Sequence, residues 1–210
     1  MKLDIFFPLV ISSPSGGGKT TVKNMLVNRY DIFEFSITCT TRALRDGEKN
    51  GVDYYFLSDD EFDRRIKSGE FLEWALVHGK KYGSLRKTVN DILLRKHIPV
   101  MTVDVVGAMN IKKEISTSLL LFILPPDFET MIKRLKLRGE SDEEIKKRMK
   151  TALTEIDYAS KFDFVIINDK IEDTLSSIID AVKSHSNRFS FRSEVVYDIK
   201  RSIENYLQGG

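Results

Sequence analysis

The residues best equipped for chemistry lie near the start of the chain, in Ser13-Pro14-Ser15-Gly16-Gly17-Gly18-Lys19-Thr20-Thr21. Consecutive glycines let backbone amides converge with no side chain in the way, and an ammonium followed by hydroxyls completes a set in which each part answers negative charge. The ligand that matches is a nucleoside triphosphate of either base: Lys19 would reach its β- and γ-phosphates, and the Thr20 hydroxyl would ligate Mg²⁺. Ser13 stands where a glycine usually opens such a loop. Loops of this kind serve GTPases, motor ATPases and small-molecule kinases alike, so the second substrate has to be sought elsewhere.

To work, the loop must join a buried strand to a helix. Ile5 to Ile11 is apolar on both faces, as expected of a central parallel strand, with Pro8 near its start or at an irregularity. Lys19 to Arg29 has helical spacing, with Val22, Met25 and Leu26 on one side. Ile98 to Val103, Leu119 to Leu124 and Phe164 to Ile167 read as further core strands, with helices around Val106 to Ile115 and Ile171 to His185. The expected class is α/β, a parallel sheet of the phosphate-loop NTPase type flanked by helices.

Between the first helix and these later strands the pattern tightens. Phe33 to Thr38, Asp53 to Phe56 and Phe71 to Val77 read as strands, and Ser58-Asp59-Asp60-Glu61 as a capping box opening a helix to about Ser68. His78 to Gly83 reads as a turn before a helix starting near Ser84. After Pro125-Pro126 come two basic helical segments, Phe128 to Leu137 and Asp142 to about Ser160, the second opened by the capping box Ser141 to Glu144. They lack a wide apolar stripe, which suits a mobile lid. The expected organisation is a single domain over 1–210. Its core spans about 3–35, 85–125 and 161–187, an inserted acceptor lobe about 36–84, the lid about 126–160 and a C-terminal helical segment about 188–210. In that segment Val195, Ile199, Ile203 and Leu207 fall at helical spacing, a face for the core or for a partner.

Composition narrows the classes. With 210 residues, 33 basic and 31 acidic side chains and a net charge of +2, nothing calls for a nucleic-acid or membrane partner. The single cysteine, Cys39, forms no intrachain disulfide and reads as an inert side chain in a reducing, cytoplasmic setting. Trp74, Phe71 and Met101 read as core, and His78, His97 and His185 as surface or loop residues without metal spacing.

The stretch Thr38-Cys39-Thr40-Thr41-Arg42-Ala43-Leu44-Arg45-Asp46-Gly47-Glu48-Lys49-Asn50-Gly51-Val52-Asp53-Tyr54 resembles the acceptor-binding lobe of guanylate kinases. The resemblance continues through Glu70 to Ala75, Tyr82-Gly83-Ser84, Asp104 with Gly107, Pro125-Pro126, Arg134, Arg138-Gly139, Arg148 and Asn168-Asp169, covering roughly residues 5–185. It implies transfer of the γ-phosphoryl group of ATP to GMP, and to dGMP, with Mg²⁺. It further implies that Arg42, Arg45, Tyr54 and Tyr82 clamp the acceptor phosphate, with Glu48 beside them, and that Glu73, Thr38 and Ser84 read guanine. Lys19, Arg45, Arg138 and Arg148 become the catalytic set, and Arg134 and Asn168 join Ser13 to Thr21 around ATP. Asp104 becomes a contact to GMP or, through water, to the metal; Thr102 stands where the family usually has another aspartate.

Guanylate-kinase-like modules of scaffold proteins bind peptides without catalysis, but generally lack the phosphate loop that Lys19 and Thr20 complete here. A GTPase would carry an Asn-Lys-x-Asp guanine reader, whereas Asn168-Asp169-Lys170 has another order. Whether the chain acts as a monomer or a homo-oligomer is open at the sequence level.

Overall fold

In the computed structural model, which describes residues 3, 5–77, 79–190 and 194–208, the apolar runs build a five-stranded parallel sheet. Its strands are β1 (Leu9–Ser12), β2 (Phe33–Phe35), β7 (Ile98–Thr102), β8 (Leu119–Leu124) and β9 (Phe164–Ile167), in the order β2-β7-β1-β8-β9. Residues two apart share a face. Thus Leu9, Ile11, Leu119, Leu121 and Ile123 enter one core, and Val10, Leu120 and Phe122 enter another on the opposite face. Helices α1 (Lys19–Arg29) and α7 (Ile171–Ser190) cover the first face through Val22, Leu26, Leu175 and Ile178. Helices α3 (Arg86–Leu94) and α4 (Val105–Glu114) cover the second through Val89, Ala108 and Ile111.

The chain between β2 and α3 forms a separate four-stranded sheet, β4-β3-β6-β5, from β3 (Cys39–Thr40), β4 (Tyr55–Phe56), β5 (Phe71–Val77) and β6 (Lys80–Leu85). Its small core holds Cys39, Phe71 and Phe62 from α2 (Asp59–Lys67), the two phenyl rings stacked with centroids 4.4 Å apart. Two further helices, α5 (Phe128–Lys136) and α6 (Asp142–Ile156), follow β8 and bury only Met131, Leu135, Ile145 and Ala152. Helix α8 (Glu194–Gln208) leaves Tyr197, Ile199 and Ile203 exposed, so this part of its stripe is uncovered within the chain. His78 and the side chains of Val195 and Leu207 lie outside the described residues. Among the described residues no helix is long and apolar enough to cross a membrane.

Several expectations need correction. β1 starts only at Leu9, because Pro8 has no amide to place in the ladder, although its carbonyl still accepts from the Leu119 amide at 2.9 Å. The run from Phe33 to Thr38 is not one strand: the Ser36 amide makes the last bond to the core sheet at Val100, and pairing resumes in the other sheet at Cys39. No helix begins at Ser84; β6 runs through it, Gly79 at φ 75° makes the hairpin turn, and α3 starts at Arg86. Trp74 is 44% exposed on the outer edge strand β5, and His185 is a buried residue of α7 whose Nε2 lies 2.8 Å from the Thr117 carbonyl oxygen.

The two expected caps also differ. Ser58 accepts from the Glu61 amide, but the Glu61 carboxylate turns to Arg64 and Arg65 instead of returning to the cap. Ser141 and Glu144 form the full reciprocal box. Because α6 buries so little, Ser141→Ala should lower its local stability by about 1 kcal/mol. Hydrogen exchange of the α6 amides should then speed up about fivefold, with the exchange of the β1 and β8 amides unchanged.

Candidate active site

Every residue of interest in the core sits just past the carboxyl end of a parallel strand, where an open α/β sheet leaves its crevice. Ser13 to Gly18 follow β1, Asp104 follows β7, the α5–α6 pair follows β8 and Asn168 follows β9. The loop after β1 is held from several sides. The Gly17 amide donates to the Pro14 carbonyl at 3.0 Å, and Lys19 Nζ donates to the Ser13 carbonyl at 3.2 Å. Asn168 Nδ2 donates to the Gly17 carbonyl at 2.9 Å, while Asn168 Oδ1 accepts from the Thr174 hydroxyl at 3.1 Å. Arg134 bridges the Gly16 and Asn168 carbonyls at 3.3 and 2.8 Å.

Side chains would not fit this loop. A Cβ on Gly17 would lie 2.9 Å from the Ile123 carbonyl oxygen, and one on Gly18, whose φ is 99°, would lie 2.2 Å from Asn168 Nδ2. Ser13, by contrast, is accommodated: it is buried and its hydroxyl donates to the Pro14 carbonyl at 3.0 Å. Burial holds the Lys19 ammonium below the ordinary lysine range, Glu155 and Asp104 pull it back up, and Arg138 pushes it further down. The exposed Arg138 is therefore felt at Lys19. Arg148 reaches Ser15 Oγ at 3.4 Å through Nη1, and its Nε pairs with Glu140 at 2.5 Å. Thr20 and Thr21 are exposed on the first turn of α1.

The second cluster lies in the four-stranded sheet. Arg42 forms a two-pronged pair with Glu48 at 2.7 and 2.9 Å, and the Arg45 amide donates to the same carboxylate at 2.9 Å. The Arg42 guanidinium lies 5.2 Å from the Tyr54 ring centroid, and the Tyr54 and Tyr82 rings meet edge to face at 6.1 Å. Glu48 holds the Arg42 guanidinium above its ordinary value, with Tyr82 adding to this. Arg45 itself is exposed.

Glu73 is 7% exposed, and Ser84 Oγ donates to its Oε1 at 2.8 Å. Burial lifts its carboxyl to about 7, and the neighbouring Asp104 charge adds to the rise. Ser84 is buried on the neighbouring strand β6, and Thr38 is buried just before β3. Asp104 caps α4 through a 2.7 Å bond from the Gly107 amide and is felt at Glu73, Lys19 and Glu155, so it stands between the two clusters. Gly107 meets Glu73 so closely that a Cβ there would lie 2.9 Å from Glu73 Oε2.

Sequence reasoning missed Glu155, Glu140 and Thr174. The available signal for Glu155 was its position seven residues after Arg148, two turns along one helix face. For a cation, the crevice offers the Thr20 hydroxyl and the Asp104 carboxylate, and no group of three His, Cys, Asp or Glu side chains assembles among the described residues. An oxygen-only, sparsely populated donor set fits a hard ion that keeps much of its water and takes the rest from phosphates.

The chain is similar to known proteins over most of its length. A family model described as guanylate kinase matches residues 7–185. A guanylate kinase of Thermotoga maritima is 33% identical over 198 residues, which is 94% of this chain and 96% of the relative. One of Clostridium tetani is 40% identical over 86% of this chain and 88% of its own length. The crystal structure of guanylate kinase from Anaplasma phagocytophilum superposes with a TM-score of 0.73 at 32% identity, over 88% of each chain.

The loop geometry has a measurable consequence. Gly18→Ala combines left-handed backbone strain with a clash against an asparagine that is itself hydrogen-bonded, and should lower the unfolding free energy by roughly 2–4 kcal/mol in urea titration. Gly47→Ala, at φ 83° with open space around it, should cost only about 1–2 kcal/mol.

Proposed function

Because the chain belongs to the guanylate kinase family, we propose that it transfers the γ-phosphoryl group of ATP to GMP, and to dGMP, releasing ADP and GDP or dGDP. The observation that carries the reading is the pairing of a phosphate loop with no room for side chains at Gly17 and Gly18, closed on a half-buried Lys19, with a buried, serine-anchored Glu73 across Asp104.

On this reading the amides of Ser15 to Thr20 and the Lys19 ammonium hold the ATP phosphates, and Asn168 and Arg134 fix the loop that presents them. Arg42, Arg45, Tyr54 and Tyr82 hold the GMP phosphate, a dianion that a planar guanidinium fork grips well. Glu48 orients the fork in the meantime. A GMP phosphate oxygen attacks the γ-phosphorus, its new P–O bond forming as the bond to the ADP oxygen breaks. The attacking oxygen is already anionic and needs no general base. Charge spreads over the moving group, and Lys19, Arg138 and Arg148 are placed to neutralise it. Mg²⁺ held by Thr20, and through water by Asp104, would add positive charge at the phosphate oxygens.

Residues about 126–160 would act as a lid over this site, and about 36–84 as the GMP lobe, within a single domain. Closure would exclude water, which would otherwise take the phosphoryl group. Guanine presents two N–H donors to Glu73, with Thr38 and Ser84 beside it. Adenine would turn an acceptor toward the same carboxylate, and a site left with an unpaired buried group rejects its ligand strongly. We place the enzyme in the cytoplasm; Cys39, buried and with its thiol lifted by burial to about 11, is inert there.

A coupled turnover assay with GMP, dGMP, AMP, CMP and UMP should give the highest kcat/KM with GMP, dGMP next, and at least about a hundredfold less with AMP. Lys19→Ala should abolish turnover while leaving the circular dichroism spectrum unchanged. A preference for AMP would overturn the role of Glu73 and Thr38.

The raised Glu73 carboxyl makes GMP binding pH-dependent. The bound state requires the carboxylate, so below about 7 the free enzyme holds a proton that GMP must expel. Affinity should therefore be roughly tenfold weaker at pH 6 than at pH 8 from this group alone. The phosphate of GMP titrates in the same range, so calorimetry should compare Glu73→Gln. In that variant binding is weaker throughout, and only the phosphate's share of the pH dependence remains.

A further inference from the structure

Glu155 follows Arg148 by two turns, so the two side chains leave α6 on the same face. That face covers the phosphate loop. Arg148 reaches Ser15 Oγ at 3.4 Å, and the Glu155 carboxylate is turned toward the Ser15 backbone amide and the Lys19 ammonium, with Asp104 and Arg148 also close enough to act on it. Glu155 Oε2 is sealed from solvent with no hydrogen-bond partner among the described residues. A half-buried carboxylate with one oxygen sealed and unpaired is costly to keep. Burial duly lifts its carboxyl above the ordinary glutamate range, with Lys19 pulling the other way.

The groups that make this position tolerable are those a nucleotide needs. The Ser15 amide opens the phosphate loop, and Lys19 is its cation. We propose that Glu155 is a built-in stand-in for a nucleotide phosphate: in the ligand-free enzyme its carboxylate occupies the mouth of the phosphate loop, docks α6 there, and is expelled when a triphosphate arrives. The inference rests on the reading of Ser13 to Thr20 as the ATP phosphate site. Arriving phosphates repel Glu155 and attract Arg148 on the same face. The exchange of one anion for another therefore tilts α6, drawing Arg148 away from Glu140 and toward the transferred group. Glu155 is a positioning residue in this scheme, acting through Lys19 and the Ser15 amide.

The test is calorimetric binding of ATP in the presence of EDTA and again with Mg²⁺, for wild type, Glu155→Gln, Glu155→Asp and Lys19→Ala. Removing the competing charge should make Glu155→Gln bind metal-free ATP roughly three- to tenfold more tightly, because less of the free enzyme is in the blocked form. Hydrogen exchange of α6 in the free enzyme should accelerate, and GMP affinity, which also reports folding, should stay unchanged.

Glu155→Asp retracts the carboxylate by one methylene and should give a smaller gain in the same direction, which keeps the inference open to refutation should the glutamine variant fail to fold. ATP affinity that is equal or weaker in both variants overturns it. So does a loss confined to the Mg²⁺ arm, which would mean that Glu155 serves the metal instead. Lys19→Ala binding ATP as tightly as wild type would remove the phosphate-site reading and this inference with it.

Discussion

The arrangement turns on one constraint: a half-buried lysine ammonium sits just past the carboxyl end of the central strand, among backbone amides that also present positive charge. Desolvation disfavours Lys19 in its charged form, and the carboxylates of Glu155 and Asp104 offset part of that. Convergent amides beside an ammonium suit an anion. The sheet topology follows from this need. β1 must be central so that the loop after it is reached from both sides, by Asp104 after β7 and by the α5–α6 pair and Asn168 after β8 and β9. Burial on both faces makes β1 apolar at every position from Leu9 to Ile11 and leaves its chemistry to the loop that follows.

The second cluster is tied to the first by close backbone approach. Helix α4 is capped by Asp104 and packs on β5, and at Gly107 there is no room for a Cβ beside Glu73. The carboxylate proposed to read guanine is thus positioned by the same turn that carries Asp104 into the phosphate crevice. A buried carboxylate raised to about 7, anchored by Ser84, is prepared for a ligand that brings hydrogen-bond donors. In the four-stranded sheet, Glu48 pairs with Arg42 where a phosphate is proposed to bind, as Glu155 acts electrostatically on Lys19.

What was legible in the sequence divides along physical lines. Strands buried on both faces, such as Leu119–Leu124, and helices with caps, such as Asp142–Ile156, declare themselves through uninterrupted apolar runs and Ser-x-x-Glu spacing. The four-stranded sheet was harder. β6 carries two lysines, a tyrosine, a glycine and a serine, and only pairing with β5 makes it a strand. Trp74 and His185 exchanged their expected places because hydropathy says nothing of strand order: β5 ends as an edge, while α7 passes beneath Thr117. Residues of the loop after β1 and of the four-stranded sheet stood out because their types match a charged ligand. Glu155 was not, since a glutamate on a charged helix looks like a solvated one until Lys19 is seen opposite.

The weak apolar packing of α5 and α6 then has a physical meaning. Leu137, Leu153 and Ile156 are exposed, and few side chains of either helix enter a core. The pair is instead fastened to the phosphate loop by Arg134 on two carbonyls, Arg148 on Ser15 and Glu155 facing Lys19. Apolar burial is indifferent to the charge of a ligand and would hold the helices equally firmly in every state. Contacts made of arginines and a carboxylate are sensitive to it, so a polyanion that competes for the same partners can reset the position of the whole segment.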